Sequence, residues 1–475
     1  MKSLNLNSLT LCTLALAAGA QGATARNRVP KKASNVLFII VDDLRTELSC
    51  YGVEGMHTPN IDALAQNGVL FERAYSNVPV SGASRASLMT GMRPTRERFL
   101  DFEALIAHDA PSAVTLPLHF KNNGFTTISN SKVIHGHNDV KESWSQIWAP
   151  RDGHNSWRNY LSDENIASAN IKGCPSFCES LDVADNAYYD GMTAEKSIED
   201  LRKFKASGEP FFLAVGILKP HLPFNAPKRY WDLYDRADIE MSSTNEMNRE
   251  GFPRQAFHQW NELRFYNQIP VKGLIQDDEL ARTLIHAYKA CVSYADAQVG
   301  AIVDELKRLG LYEDTLIVLI GDHGWSLGDH SDWCKHSNFA VANHVPMIFS
   351  GANLPRGKRV EKIVEFVDLY PTICSMAGLD TPEQCEGGSM VKLLYGKDKA
   401  WKNSAVVKWH AGLSLFTPEY NYTRWQNPQG KVTGEMLFDC KDDLDESRNL
   451  VAEPEMQSIV ESLRQRLDNS KGADF

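Results

Sequence analysis

Val36-Leu37-Phe38-Ile39-Ile40-Val41-Asp42-Asp43 is the stretch on which the fold turns. An unbroken apolar run of this length, followed at once by acids, predicts a central strand of a parallel sheet, buried on both faces. In α/β proteins, ligands bind outside the carboxyl ends of such strands. Two adjacent carboxylates repel each other, so Asp42-Asp43 at a buried strand end calls for a cation beside them. A solvated acidic turn would be the plainer reading of a lone Asp-Asp pair. The apolar strand before it favours the cation.

The same pattern recurs along the chain. Residues 69–75, 125–129, 211–216, 315–320 and 345–350 each predict a strand. Helical patterns lie between them. Thr58 is expected to cap the first, with Pro59 at its first position and Gly68 as its stop. A second helix runs from Thr193 to a stop at Gly208. The longest pattern covers 281–309, where Tyr288, Cys291, Val292, Ala295, Val299, Ile302 and Leu306 keep one stripe and Gly310 ends it. Strands alternating with helices predict an α/β protein with a large doubly wound, mostly parallel sheet. Stretches 139–190 and 242–277 are irregular excursions that would shape a pocket rim. After residue 397 the texture changes to short strands at 406–410 and 435–439 and a final helix at 456–467. This predicts a smaller C-terminal α+β subdomain over 397–475, leaving 33–396 for the main domain.

Four strand ends carry reactive side chains: Asp42 and Asp43, Lys132 and His135, Lys219 and His221, Asp322 and His323. In a doubly wound sheet these ends converge on one edge. Asp42, Asp43 and Asp322 would make an oxygen-rich site for a hard cation, calcium or magnesium. His323 is less expected for calcium. It would serve as a nearby ligand, or bond a substrate oxygen or the nucleophile.

A second stretch adds a nucleophile: Val80-Ser81-Gly82-Ala83-Ser84-Arg85-Ala86-Ser87-Leu88-Met89-Thr90-Gly91-Met92-Arg93. Small residues let a backbone approach a ligand closely. The N-terminus of a helix attracts anions, and arginine grips oxyanions through a fork of donors. The stretch reads as a serine nucleophile in an oxyanion-binding turn.

Bulk properties bound the partners. The chain has 475 residues, 43% hydrophobic and 23% charged, with net charge −10. That balance argues against a nucleic-acid partner. Lys2, the apolar run 9–20 and Ala23-Thr24-Ala25 read as a secretory signal over 1–25. Cys12 is a poor lipoprotein anchor, and no later run reaches the ~20 apolar residues of a membrane span. The remaining cysteines are not spaced like zinc ligands. In a secreted setting, Cys174 and Cys178 are the best pair for a disulfide, while Cys291 and Cys374 read as buried thiols. The Asn421-Tyr422-Thr423 sequon reads as chance.

The Ser81 stretch resembles the signature of the type I sulfatases, of the alkaline phosphatase superfamily: Cys or Ser, any residue, Pro or Ala, Ser, Arg, continuing to Thr-Gly-x-Arg. The match includes Ser81, Ala83, Ser84, Arg85, Thr90, Gly91 and Arg93. Further stretches resemble the iduronate 2-sulfatase group: 35–45, 58–64, Lys132-Val133 with His135, 211–224, 292–300, 322–328, and Lys335 with Ser337-Asn338-Phe339. The resemblance implies an alkaline phosphatase-like fold. It implies that a formylglycine-generating enzyme converts Ser81 to formylglycine, whose hydrate attacks sulfur. It implies metal ligands Asp42, Asp43, Asp322 and residue 81, with His323 at a position usually grouped with them. Arg85, Lys132, His135, His221 and Lys335 would surround the sulfate. His221, Lys335 or His135 would protonate the leaving alcohol. The implied substrate is a sulfated, glycosaminoglycan-derived oligosaccharide, cleaved by an exo-acting uronate 2-O-sulfatase. Serine at position 81 points to a bacterial, periplasmic or secreted enzyme. Two rivals stand beside this reading. One is a phosphatase or phosphodiesterase, with Asp329-His330 and His336 supplying ligands for a second metal. The other is a secreted glycan-binding protein whose Ser81 stays unmodified.

Overall fold

A computed structural model describes residues 32–136, 138–150, 157–397 and 400–470. The expected signal segment and Cys12 lie outside the described residues. Eight strands form the main sheet: β1 (Asn35–Val41), β2 (Gly68–Phe71), β3 (Thr126–Ser131), β4 (Gln146–Trp148), β5 (Phe211–Ile217), β6 (Thr315–Gly321), β7 (Met347–Gly351) and β8 (Lys358–Val360). Their order is β8-β2-β7-β6-β1-β5-β3-β4. Strand β1 lies between β5 and β6 and is parallel to both. Only β7 runs against its neighbours, so the sheet is mostly parallel, as expected.

The alternation along β1 shows why the apolar run is unbroken. Leu37, Ile39 and Val41 enter the core on one face, and Val36, Phe38 and Ile40 enter the core on the other. Each such side chain contributes about 1.5–3 kcal/mol through burial. The first core is covered by α1 (Pro59–Gln66), α3 (Tyr189–Ser207) and α4 (Asp278–Arg308); the second by α2 (Ser81–Thr90) and α5 (Leu369–Ala377). Helix α4 starts earlier than its apolar stripe because Asp277 caps it, accepting from Glu279 N and Leu280 N.

The structure revises several local expectations. Thr58 precedes α1, but its hydroxyl donates to Asp62 Oδ1 at 3.2 Å instead of capping. Asn67 ends that helix, and Gly68 begins β2, where a Cβ would collide with the Phe349 carbonyl. The strand expected at 69–75 is two strands, because Ala74–Tyr75 joins a separate small sheet. Cys174 and Cys178 are free thiols, not a bridge. The chain runs extended through Cys178, the first residue of strand Cys178–Leu181, so it does not fold back on Cys174. Cys291 and Cys374 are buried thiols.

The C-terminal subdomain is an antiparallel sheet, β9 (Ala405–Trp409), β10 (Gly412–Phe416), β11 (Tyr420–Gln426) and β12 (Val432–Asp439), packed on α6 (Gln457–Asp468). The two middle strands lack a strong apolar pattern and were not expected. Asn421 lies in β11, buried, and donates to Glu446 at 2.8 Å, so its sequon is inaccessible. The subdomain docks beside the reactive edge. Lys408 N bonds Asn77 O at 2.9 Å, just before the Ser81 turn. Asn338 Nδ2 bonds Ser414 Oγ at 2.9 Å, just after Lys335. Among the described residues, no helix is long and apolar enough to cross a membrane.

Candidate active site

The parallel ladder sets the acids side by side. Asp42 N bonds Ile217 O at 2.9 Å, and Asp322 N bonds Val41 O at 3.2 Å, so β1, β5 and β6 stay in register to their last residues. Asp43 then turns with φ 61°, and its N–H donates to Asp322 Oδ1 at 2.9 Å. Helix α2 brings its first turn to the same point. A Cβ at Gly82 would strike the carbonyl of Phe102, so only glycine lets the turn pack there. Ser81 Oγ lies 3.2 Å from Asp42 Oδ1 and 3.0 Å from His323 Nε2.

Arg85 sits one turn on, fully buried. Its Nε donates to Asp322 Oδ2 at 2.9 Å, one terminal nitrogen to Asp42 Oδ1 at 2.8 Å, and the other to the carbonyls of Lys132 and Val133. Its donors are spent on the carboxylates and the loop behind them. Lys132 pairs with Asp42 Oδ2. Lys335 pairs with Asp43 Oδ1 at 2.8 Å and lies over the Trp325 ring. Burial raises the Asp42 carboxyl, but Lys132 and Arg85 outweigh it and hold the group well below the usual range. Burial dominates at Asp43 and pushes it well above that range, despite Lys335.

Two histidines face this cluster with lone pairs. Gly324 O lies 2.9 Å from His323 Nδ1, and Leu222 O lies 2.6 Å from His221 Nδ1. A carbonyl can only accept, so both Nδ1 atoms carry the proton and both Nε2 atoms are free to accept. His323 Nε2 is 3.3 Å from Asp43 Oδ1 and 3.6 Å from Asp322 Oδ1. His221 Nε2 is 3.9 Å from Asp43 Oδ2 and 3.1 Å from Glu262 Oε1. Burial lowers both imidazoles, so they stay neutral. His135 is exposed at the rim, yet recessed enough that desolvation, then the Lys132 charge, lowers it to about 4.

The donor set fits a hard cation. Asp42, Asp43 and His221, and Asp43, Asp322 and His323, form two overlapping groups with ligand atoms within 4.8 Å of one another. Asp43 Oδ2 is buried and accepts no hydrogen bond among the described residues. An unbonded carboxylate oxygen and two imidazole lone pairs thus converge at the strand ends, a donor set into which a calcium ion would fit.

The structure brings Asp42, Asp43, Ser81, Arg85, Lys132, His221, Asp322, His323 and Lys335 into one contact network; His135 stands at its edge. Lys219 turns away and braces the loop through the carbonyls of His221 (2.9 Å) and Pro223 (2.6 Å). The residues expected to supply a second metal are occupied elsewhere. Asp329 pairs with Arg45 at 2.7 Å, His330 bonds Asp445 O at 2.9 Å, and His336 stacks on Trp409. Three neighbours of the site were not among the expected site residues, although Trp157 lies on an excursion expected to shape the rim. Glu262 touches His221 and Lys335. Asp190 accepts from Leu218 N and Lys219 N at 2.7 and 2.8 Å and fixes the His221 loop. Trp157, 42% exposed, packs edge-on to His221. Glu262 and Trp157 lie on the irregular excursions, where no periodicity marks a residue.

This site and sheet define a class. The chain belongs to the sulfatase family, whose model matches residues 34–379, and it is a sulfuric ester hydrolase of alkaline phosphatase-like fold. A second model, N-sulphoglucosamine sulphohydrolase, C-terminal, matches residues 328–473. Human iduronate 2-sulfatase is 35% identical over 411 residues, covering 77% of this chain and 73% of the relative. Two solved structures share the fold. A 2-O GAG sulfatase has a TM-score of 0.69 at 22% identity, covering 92% of each chain. The phosphonate monoester hydrolase of Silicibacter pomeroyi has a TM-score of 0.77 at 22% identity, covering 93% of this chain and 96% of that one.

Proposed function

We propose that this protein removes sulfate from carbohydrate esters by an exo-acting route, with 2-O-sulfated uronic acids of glycosaminoglycan fragments as substrates. The supporting observation is Ser81, at the start of α2, within hydrogen-bond reach of both Asp42 and His323. Converted to formylglycine by a maturation enzyme that accepts serine, residue 81 would supply an aldehyde hydrate as the nucleophile. Asp42, Asp43, Asp322 and residue 81, with His323 adjacent, would hold calcium, which would supply fixed positive charge for sulfate oxygens. Arg85 locks the Asp42 and Asp322 carboxylates in place. Lys132 and Lys335 present ammonium groups toward the same anion, and His135 lines the rim. When the sulfur–oxygen bond breaks, its electron pair stays on the sugar oxygen, which takes a proton from Lys335, or from His221 once its Nε2 has gained one. The 35% identity to human iduronate 2-sulfatase supports the uronate. We further propose a bacterial, periplasmic or secreted enzyme exported by residues 1–25, with 33–396 as the catalytic unit and 397–475 as the subdomain.

The test joins mass and activity. The tryptic peptide from Ala74 to Arg85 should be lighter than its serine form by two hydrogens. That protein should release sulfate from 2-O-sulfated uronate disaccharides and not from other sulfated sugars. Release from other sugars alone would discard the uronate. Cleavage of phosphate esters with no sulfate release would overturn the proposal. Release of sulfate from internal residues of an intact polymer would refute exo action.

A further inference from the structure

Glu262 comes from the irregular excursion, just ahead of the short helical turn Leu263–Phe265. Nothing in the sequence marks it. Its two carboxylate oxygens reach different partners: Oε1 is 3.1 Å from His221 Nε2, and Oε2 is 3.3 Å from Lys335 Nζ. The partners arrive from distant parts of the chain, His221 after β5 and Lys335 after the strand Trp333–Cys334. Both also face Asp43: Lys335 Nζ lies 2.8 Å from Oδ1 and His221 Nε2 3.9 Å from Oδ2. Glu262 reaches the same two atoms, with its side chain 20% exposed.

His221 is tied through Nδ1 to the Leu222 carbonyl and packed against the Trp157 ring, and its Nε2 carries a lone pair, so Glu262 does not bond it. Lys335 has a flexible four-carbon stem and rests over Trp325. Among the described residues, Asp43 is the one other carboxylate that pairs with Lys335, and it belongs to the donor set proposed for calcium. A carboxylate outside that set is what can hold the ammonium independently of the metal.

We infer that Glu262 is a positioning residue for sulfate-ester cleavage: its ion pair with Lys335 holds the ammonium beside His221 Nε2, so that the proton donor meets the departing sugar oxygen. This rests on the sulfatase reading above, with Lys335 as the proton donor. The mispositioning of a proton donor costs most when the leaving group is a poor one, such as a sugar alcohol. It costs little when the leaving group is already stable as an anion.

The experiment compares Glu262→Ala, Glu262→Gln and Glu262→Asp with the wild type on a sulfated disaccharide that the wild type cleaves, and on 4-nitrophenyl sulfate. Glutamine keeps the contact with Lys335 through its carbonyl, and its amide can donate to His221 Nε2. Aspartate is one methylene shorter and loses at least one contact. Glu262→Ala should lower kcat on the sugar sulfate about 10–100-fold with KM near the wild-type value. On the aryl sulfate the loss should be less than about 3-fold. Glu262→Gln should keep most of the sugar activity, and Glu262→Asp should fall between. If the alanine variant does not fold, the aspartate variant carries the same comparison. Equal kcat for wild type, alanine and aspartate variants would overturn the inference. So would equal losses for alanine and glutamine, which would assign the effect to charge instead of position. A wild type that releases sulfate from no ester overturns the sulfatase reading itself, a result distinct from unaffected variants of an active enzyme.

Discussion

Arg85 is where the physics of this site can be tested most sharply. Its side chain and those of Asp42 and Asp322 are fully buried, and two charge-assisted bonds of 2.8 and 2.9 Å join them. Replacing it with alanine strands two buried carboxylates without their shared counter-charge. Breaking a buried pair in this way costs about 3–5 kcal/mol. Spread over residues 34–379, a melting entropy of about 2 cal/mol/K per residue converts that cost to a drop of about 4–7 °C. Arg85→Lys keeps the charge but offers a single head, which reaches one carboxylate and forfeits the other bond, about 1.5–3 kcal/mol. Its drop should be about half as large. Both variants let the acids drift from the register set by β1 and β6, and a displacement of ~1 Å at reacting groups costs about 100-fold in rate. Differential scanning calorimetry and sulfate release, read on the same preparations, give both numbers. An alanine variant that melts within about 1 °C of the wild type, with its activity intact, would refute the argument that Arg85 neutralises these buried acids.

Chelation should act in the same direction. Removing divalent cations should abolish sulfate release and lower the melting temperature, and added calcium should restore both, because a ligand of the folded state alone stabilises it by mass action; activity that survives exhaustive chelation would sink the metal reading. Glu446 predicts a pH effect far from chemistry. It accepts from Ala340 N at 2.6 Å and Asn421 Nδ2 at 2.8 Å, and burial pushes its carboxyl up to about 7 from 4.5. A raised carboxyl favours the protonated fold, so its contribution is fully present below pH 4.5 and is lost as pH rises to about 7, on the order of 3 kcal/mol. Glu446→Gln should flatten the melting-temperature profile across that window; profiles that run parallel to the wild type would contradict it.

Much of the fold was legible because β1, β5 and β6 are covered on both faces, and such strands must be apolar throughout. That continuity marks them without any tertiary information. The same logic located the reactive edge, since Asp42, Asp43 and Asp322 directly follow those strands. The Ser81 turn was legible for a different reason. A helix start packed against the Phe102 carbonyl needs glycine at position 82, and small residues in sequence betray that crowding. The strands β10 and β11 escaped notice because their buried polar residues, Ser414, Asn421 and Thr423, break the apolar pattern.

The sequence by itself therefore determined the six inner strands of the sheet, its reactive edge and the identity of the side chains delivered there, because hydrophobic periodicity and short-range spacing are local properties; the short edge strands Gln146–Trp148 and Lys358–Val360 carry no such run. It did not determine what those side chains touch. That Arg85 spends its donors on carboxylates and the loop behind them, that Lys219 turns to brace a loop, and that Glu262 pairs with Lys335 were decided only by tertiary structure. Each is a contact between segments far apart along the chain, set by register and packing, and no local pattern of residues carries that distance.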